Sequence, residues 1–131
     1  MALRLLPLFA LFFLVCSKED SVTPGELPGT WRLTEVYLDP GNGSGTFQPA
    51  DYEREITFYA DSTYLTSRDI CNIYDNIEAG GEGRYSPDRQ VIFPTSCRMN
   101  TEYPFTVDGR ELTITYWCIE GCAERYVKIR D

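Results

Sequence analysis

The chain has 131 residues, enough for one domain with a single core. Its formal net charge of −8 argues against nucleic acid as a partner and against electrostatic binding to an anionic membrane surface, because both require a basic face. The sequence contains no histidine. This removes the commonest general base, the usual partner of a serine or cysteine nucleophile, and most catalytic zinc sites.

The N-terminal residues have the pattern of an export signal. Arg4 precedes an apolar run over residues 5–15, which is too short to span a bilayer as a helix but typical of a signal peptide. The run ends at Cys16, and the polar residues 17–20 follow at once. A cysteine at this junction resembles the lipobox of bacterial lipoproteins, in which the cysteine becomes the lipid-bearing N-terminus after cleavage.

This resemblance implies a signal peptide over residues 1–15, lipidation of Cys16 and an outer-membrane lipoprotein anchored through its lipid. The acidic residues after Cys16 also resemble the export tag of surface-exposed lipoproteins. The alternative is a plain secretory signal that is removed together with Cys16. Residues 16–26 are predicted to be a lipidated N-terminus and tether, because they are polar and lack apolar periodicity. Ten extended residues span about 35 Å, enough to hold a small domain clear of lipid headgroups.

From residue 27 to residue 131 the sequence predicts an all-β domain, with short strands separated by turn signals. We predict eight strands, at residues 30–38, 53–59, 63–68, 76–85, 90–94, 101–107, 110–117 and 123–130. In an antiparallel meander the three tight turns fall at one end and the longer connections form a rim at the other. An eight-stranded up-and-down β-barrel is expected, because closure removes exposed sheet edges.

The two ends of this domain carry a family resemblance. Gly29-Thr30-Trp31-Arg32-Leu33 and the last strand, residues 125–130, resemble the lipocalin and fatty-acid-binding group of barrels, specifically lipocalin-like domains of bacterial envelope lipoproteins. In that group a basic side chain from the last strand covers the first-strand tryptophan. The resemblance therefore implies that Trp31 closes the barrel under Lys128 or Arg130. We predict Arg130, because it lies nearest the chain end.

The side chains that share a face with Trp31 define a predicted lumen. A period of two from Trp31 places Leu33, Glu35 and Tyr37 inward. The candidates for a ligand-binding lumen are Leu33, Tyr37, Phe58, Phe93, Tyr103, Phe105, Ile114 and Tyr116. Such an aromatic and aliphatic lining suits a small hydrophobic or amphipathic ligand, and binding one is the favoured expectation. The alternative is a filled barrel in a structural or protein-interaction lipoprotein that contacts another envelope protein.

Four cysteines lie in or beside the predicted rim loops, and they allow three disulfide pairings. Cys118 and Cys122 flank one hairpin loop, so we predict a disulfide between them and a second one between Cys71 and Cys97. A four-cysteine zinc site is the competing interpretation. It lacks a Cys-x-x-Cys pair, and an exported protein meets an oxidising environment. We expect no metal and no cofactor.

Two other stretches invite a functional interpretation. The segment 39–45 resembles a calcium loop but lacks acidic residues at alternating positions, so a flexible rim loop is expected. Glu53 with Glu55, or Glu78 with Glu82, could be a carboxylate pair for glycoside hydrolysis, although glutamate on the outer face of a barrel is ordinary. No nucleophile motif is present, and we expect no enzymatic activity.

Overall fold

The computed structural model describes residues 26–71, 79–97 and 100–131. Within these ranges the chain is all-β. Its nine described strands are β1 (Gly29–Leu38), β2 (Thr46–Pro49), β3 (Glu55–Phe58), β4 (Thr63–Thr66), β5 (Gly81–Ser86), β6 (Val91–Pro94), β7 (Tyr103–Asp108), β8 (Glu111–Tyr116) and β9 (Cys122–Arg130). The predicted signal peptide, Cys16 and all of the tether except Glu26 lie outside the described residues.

Eight of the described strands close into an antiparallel barrel. β1 pairs with β3 on one side and with β9 on the other, and the remaining strands follow one another in chain order between them. Each neighbouring pair is antiparallel. The predicted eight-stranded up-and-down barrel is thereby confirmed, and the architecture is consistent with a lipocalin-like fold.

The strand β2 has no counterpart among the predicted strands. It pairs with the second half of β1, from Glu35 to Leu38, whereas the first half of β1 pairs with β3. One long strand therefore serves two successive partners on the same side. Between these partners the segment 50–54 leaves the sheet, held by hydrogen bonds from Ala50 N to Thr34 O and from Leu33 N to Arg54 O, both 2.9 Å. This detour carries two polar side chains of the site described below.

The tight turns lie at one end of the barrel, as predicted. Asp108 pairs with Glu111 across a two-residue loop in which Gly109 has a φ of 59°, the left-handed conformation that suits glycine in a hairpin. The β3–β4 and β5–β6 connections turn at the same end. We call this the closed end, and we call the opposite end, with the β4–β5, β6–β7 and β8–β9 connections, the rim.

The start of β1 needs a glycine because the backbone of β9 passes very close to it. Gly29 has a φ of 127°, and a Cβ at this position would collide with the carbonyl oxygen of Arg130 and lie 2.7 Å from Cε of Lys128. Glycine therefore lets β1 and β9 meet where the barrel closes. Gly83 on β5 has a similar role, since its missing side chain leaves room for the ring of Tyr64.

Candidate functional site: the barrel interior and its rim

The rim half of the barrel interior holds a buried carboxylate. Glu124 on β9 has no exposed surface, and Nη1 of Arg54 lies 2.6 Å from its Oε2. Three tyrosine hydroxyls also donate to this carboxylate at 2.5 Å, those of Tyr52, Tyr116 and Tyr126. We call these five residues the Glu124 cluster. It places a buried ion pair in the interior, where the sequence predicts aromatic and aliphatic side chains with a few tyrosine hydroxyls.

The Glu124 cluster is supported from the segment that follows β4. Arg54 Nη2 donates to the carbonyl oxygen of Asp69 at 3.1 Å, and Ile70 beside it is 1% exposed. Arg54 Nε, by contrast, is buried and has no hydrogen-bond partner within the described part of the chain. Tyr64 Oη is also buried and has no hydrogen-bond partner among the described residues. Most of the polar atoms enclosed here are therefore satisfied by the protein itself.

Burial and charge together shift the proton equilibria of the cluster. Desolvation, and then the charge of Glu124, raise the pKa of Tyr116 and Tyr126 well above the usual tyrosine value. The same two causes raise the pKa of Tyr52. For Arg54, desolvation lowers the pKa, but attraction to Tyr126 and Glu124 outweighs it and leaves the pKa raised. The tyrosines therefore stay neutral donors, and Arg54 stays charged.

The raised tyrosine pKa values predict a loss of stability at alkaline pH. Above about pH 10 the tyrosines of the unfolded chain lose protons, while Tyr116 and Tyr126 in the folded chain keep theirs. The free energy of unfolding should therefore fall as pH rises through this range, with the full contribution present below it. Urea unfolding at pH 8 and pH 11 measures the difference. A Tyr116→Phe variant should show a smaller pH dependence than wild type, because it lacks one of the two buried hydroxyl groups whose pKa is raised.

The closed end is built around Trp31, which is fully buried. Its Nε1 donates to the carbonyl oxygen of Leu27 at 2.8 Å, and the ammonium nitrogen of Lys128 lies 5.6 Å from the ring centroid. Lys128 also donates to the carbonyl oxygen of Glu26 and pairs with Asp131, each at 3.0 Å. A basic side chain of the last strand thus covers the indole.

The covering side chain is Lys128, and the choice of Arg130 is corrected. A register irregularity between Thr30 and Trp31 sets Lys128 opposite Trp31 and Arg130 opposite Thr30. Because of this shift, nearness to the chain end does not decide which basic side chain faces Trp31. The side chain of Arg130 is 62% exposed and lies 3.9 Å from the carboxylate of Glu55 on the outer face.

Six of the eight predicted lumen residues belong to the buried core: Leu33, Phe58, Tyr103, Phe105, Ile114 and Tyr116. Tyr103 and Tyr116 contact each other edge to face, with ring centroids 4.7 Å apart. The structure places the other two predicted residues elsewhere, and each has its own physical reason.

Tyr37 lies outside the core because β1 contains a second irregularity, between Leu33 and Glu35, which reverses the inward parity. Val36 packs on the core instead, while Tyr37 contacts Phe47 of β2 at 5.5 Å between ring centroids. Glu35, also predicted inward, pairs with Arg125 at 2.6 Å with both side chains partly exposed.

On β6 the inward position falls on Ile92, the residue before Phe93. Ile92 is fully buried, while Phe93 is half-buried under the guanidinium of Arg89, 5.5 Å from its ring centroid. Val91, Ile92 and Phe93 are all apolar, so a period of two cannot decide which face turns inward. The inward assignment of Phe93 is therefore corrected: on β6 the buried residues are Ile92 and Pro94.

The main feature of the interior that the sequence analysis does not predict is a set of buried charged side chains. Arg54, Glu124 and Lys128 are each at most 2% exposed, although charged side chains are seldom fully buried. The sequence of β9 contains one signal that could have predicted these buried charges. Glu124, Tyr126 and Lys128 alternate along the strand, so an inward Tyr126 carries both charged neighbours inward with it.

The rim is fixed by two disulfides, Cys71–Cys97 and Cys118–Cys122, which are the predicted pairs. They leave none of these four thiols for a zinc ion. No group of three or more possible metal-ligating side chains is present within residues 26–71, 79–97 and 100–131. Asp69 ties the first disulfide to the sheet, because its carboxylate accepts from Cys71 N at 2.9 Å and from Ser96 Oγ at 3.0 Å.

The glycine-rich segment 39–45 is organised by its own aspartate. Asp39 Oδ1 accepts from the backbone N–H groups of Gly41, Asn42 and Gly43 at 2.8 to 3.1 Å, and Oδ2 accepts from Gly45 at 3.2 Å. The hydrogen bond from Gly41, against the opposing effect of desolvation, holds the pKa of Asp39 below its usual value. The carboxylate closes the loop internally, so this is not a calcium cage of converging acidic side chains.

The described glutamates that were considered as a carboxylate pair, Glu53, Glu55 and Glu82, are not part of the Glu124 cluster. Glu55 is half-buried on the outer face and accepts from Arg32 at 3.0 Å. Glu53 and Glu82 are exposed, and Glu78 lies outside the described residues.

Comparisons with known proteins identify no relative of this chain. No protein-family model, no curated protein and no solved structure matches the chain. In the part of the chain that the structure describes, there is no helix with the length and apolar character needed to cross a membrane.

Proposed function

We propose that this chain is a lipid-anchored β-barrel of the bacterial cell envelope that acts as an interaction protein through its rim, with a barrel filled by its own side chains. The anchor is Cys16, exposed after removal of residues 1–15. The membrane contact is made by the lipid, and the partner is another component of the envelope. A surface-facing position fits the acidic residues after Cys16.

The proposal of a filled barrel rests on how little of each inward side chain is exposed. Trp31, Ile56, Ile92, Leu112 and Ile114 have no surface that a water molecule can reach. The rim half is closed by the Glu124 cluster, whose carboxylate is equally inaccessible. An eight-stranded barrel leaves little more than side-chain room, and large aromatic and charged groups occupy it here. This packing supports the interaction protein over a carrier of small ligands.

A carrier of a small hydrophobic or amphipathic ligand is the second candidate. Two observations favour it: Arg54 Nε and Tyr64 Oη are buried without a partner in the described residues. A ligand with polar groups would give these atoms hydrogen bonds. It would also have to displace side chains from the packed interior.

Ligand uptake separates the two candidates. Native mass spectrometry of the chain purified from its own source should show no copurified small molecule, and an aliphatic fluorescent probe such as cis-parinaric acid should not bind. A Phe105→Ala variant serves as positive control, because truncating a buried aromatic ring opens a cavity that an apolar probe can enter. Saturable binding of the probe by the unmodified chain would favour the carrier.

The anchor has its own test. Changing Cys16 to Ala should move the protein from the membrane fraction to the soluble fraction and stop lipid incorporation, because the thiol that carries the lipid is gone. Ser17→Ala is the matched control and should stay with the membrane. A Cys16→Ala protein that is processed and fractionates as before would contradict the lipoprotein assignment.

A further inference from the structure

The rim carries two apolar side chains that nothing in the described structure covers. Trp117 is 76% exposed and Ile119 is 103% exposed, the highest values among the large exposed apolar residues. Both belong to residues 117–121, which connect β8 to β9 and which we call the rim loop. Aromatic side chains are enriched among the residues that dominate binding energy in protein interfaces.

The rim loop is held in place before any partner arrives. The Cys118–Cys122 disulfide closes it, Trp117 Nε1 donates to the carbonyl oxygen of Glu102 at 2.6 Å, and Asp39 N donates to Gly121 O at 3.3 Å. A fixed exposed indole loses little conformational entropy on binding. The geometry is that of a preorganised contact site.

A notch of about 400 Å³ lies beside these apolar side chains, lined by Asp39, Trp117, Cys118, Ile119, Glu120 and Gly121. Its charged members are both acidic. The carboxylate of Glu120 lies directly above Gly41, since a Cβ at Gly41 would be 2.5 Å from Glu120 Oε1. The Glu120 carboxylate can accept charge-assisted hydrogen bonds from a guanidinium or ammonium group, and the indole face adds cation–π attraction. The oxygens of Asp39 already accept hydrogen bonds from its own loop, so Asp39 contributes its negative charge.

We propose that the rim loop docks a polypeptide segment that presents an Arg or Lys side chain next to an apolar side chain. The cationic group enters the notch against Trp117, between Asp39 and Glu120, and the apolar side chain packs on Ile119. This inference rests on the proposed function, because it names the chemistry of the partner that the rim would contact.

Charge and orientation favour a polypeptide over a lipid surface. The acidic notch repels anionic headgroups, and the chain as a whole has a formal net charge of −8. The chain also enters the barrel at the closed end, where Glu26 O accepts from Lys128. The described part of the chain therefore begins at the end of the barrel opposite the rim loop.

The two tryptophans allow a direct test by nuclear magnetic resonance. The probe is the blocked peptide Ala-Leu-Arg-Leu-Ala, titrated into the full ¹⁵N-labelled chain while both indole N–H signals are followed. The Trp117 signal should shift in a saturable way, and that of buried Trp31 at the closed end should stay fixed. The same peptide with Glu in place of Arg should leave both signals unchanged.

Variants then define the site. Ile119→Ala and Glu120→Gln should each weaken peptide binding by roughly fivefold to tenfold. The matched controls on the outer wall, Leu65→Ala and Glu82→Gln, should bind as wild type does. Equal responses to the Arg and Glu peptides, or no response to the Arg peptide at about 10 mM, which corresponds to less than about 3 kcal/mol of binding, would overturn the proposal.

Two further measurements identify a different occupant. Sedimentation that depends on protein concentration and is abolished by Trp117→Ala would replace the peptide with a second copy of the chain. Binding of the Cys16→Ala chain to phosphatidylcholine and phosphatidylglycerol vesicles, lost in Ile119→Ala, would replace it with a membrane. Either result overturns the polypeptide assignment. None of these readouts depends on lipidation or on an empty barrel, so this proposal can fail while the proposed function stands.

Discussion

Replacing Glu124 by Gln should lower the free energy of unfolding by about 3–5 kcal/mol, the usual cost of removing one partner from a buried ion pair. The change leaves the guanidinium of Arg54, which is 2% exposed, without its counter-ion. It also removes half of the acceptor capacity that Tyr52, Tyr116 and Tyr126 use. Urea unfolding followed by circular dichroism measures the loss.

The matched control is Glu35→Gln, which breaks an ion pair on the outer face. Arg125 and Glu35 lie 2.6 Å apart, but their side chains are 28% and 35% exposed. Water therefore screens this pair, and the expected cost is at most about 1 kcal/mol. If Glu124→Gln is no more destabilising than Glu35→Gln, the buried cluster is not a source of stability. The contrast isolates burial, because both variants make the same chemical change.

The features that the sequence predicts well are those set by local signals. Turn residues such as Asp108 and Gly109 specify a hairpin through their own backbone preferences. An alternating stretch such as residues 112–116 specifies an inward face, because the polar residues Thr113 and Thr115 occupy the other positions. From strand count and turn positions the closure of the barrel follows, since an open sheet of this size would expose two edges.

The wrong assignments of Arg130 and Tyr37 share one cause: the direction of a side chain on a strand depends on every residue before it. A single extra residue reverses every later assignment on its strand, and the pairing of β1 with β9 contains two such shifts. At Thr30/Trp31 the extra residue lies on β9, between Lys128 and Arg130, and at Leu33/Glu35 it lies on β1. Neither is marked by a glycine or proline inside the strand. Because of the first shift, Lys128 and not Arg130 covers the indole of Trp31. Because of the second, Tyr37 lies outside the core.

The polar interior was missed for a different reason. Composition assigns charged residues to the surface, and this average holds for most of the chain. Arg54 and Glu124 are 70 residues apart in sequence, and each is acceptable inside because the other is there. Pairing of this kind is a property of the fold and cannot be found from either residue alone.

Trp31→Ala should destabilise the protein by about 3–5 kcal/mol, the range for truncating a large buried aromatic side chain. The indole is fully buried, and the change removes the hydrogen bond from its Nε1 to Leu27 O. It also leaves the ammonium group of Lys128 without the ring that it faces at 5.6 Å. The loss therefore combines a cavity, a missing donor and a missing cation–π contact.

Variants of β9 separate the effect of losing the basic side chain over Trp31 from the effect of the cavity that Trp31→Ala creates. Lys128→Met keeps an apolar stem over the indole and removes the ammonium group, with its cation–π contact, its hydrogen bond to Glu26 O and its ion pair with Asp131. It should cost about 1–2 kcal/mol. Arg130→Ala should cost less than about 0.5 kcal/mol, because its side chain is 62% exposed and contacts Glu55 only at 3.9 Å. Chemical unfolding of all three variants ranks them. A larger effect at Arg130 than at Lys128 would mean that the register between β1 and β9 differs from the one described, since only the shift between Thr30 and Trp31 brings Lys128, and not Arg130, over the indole.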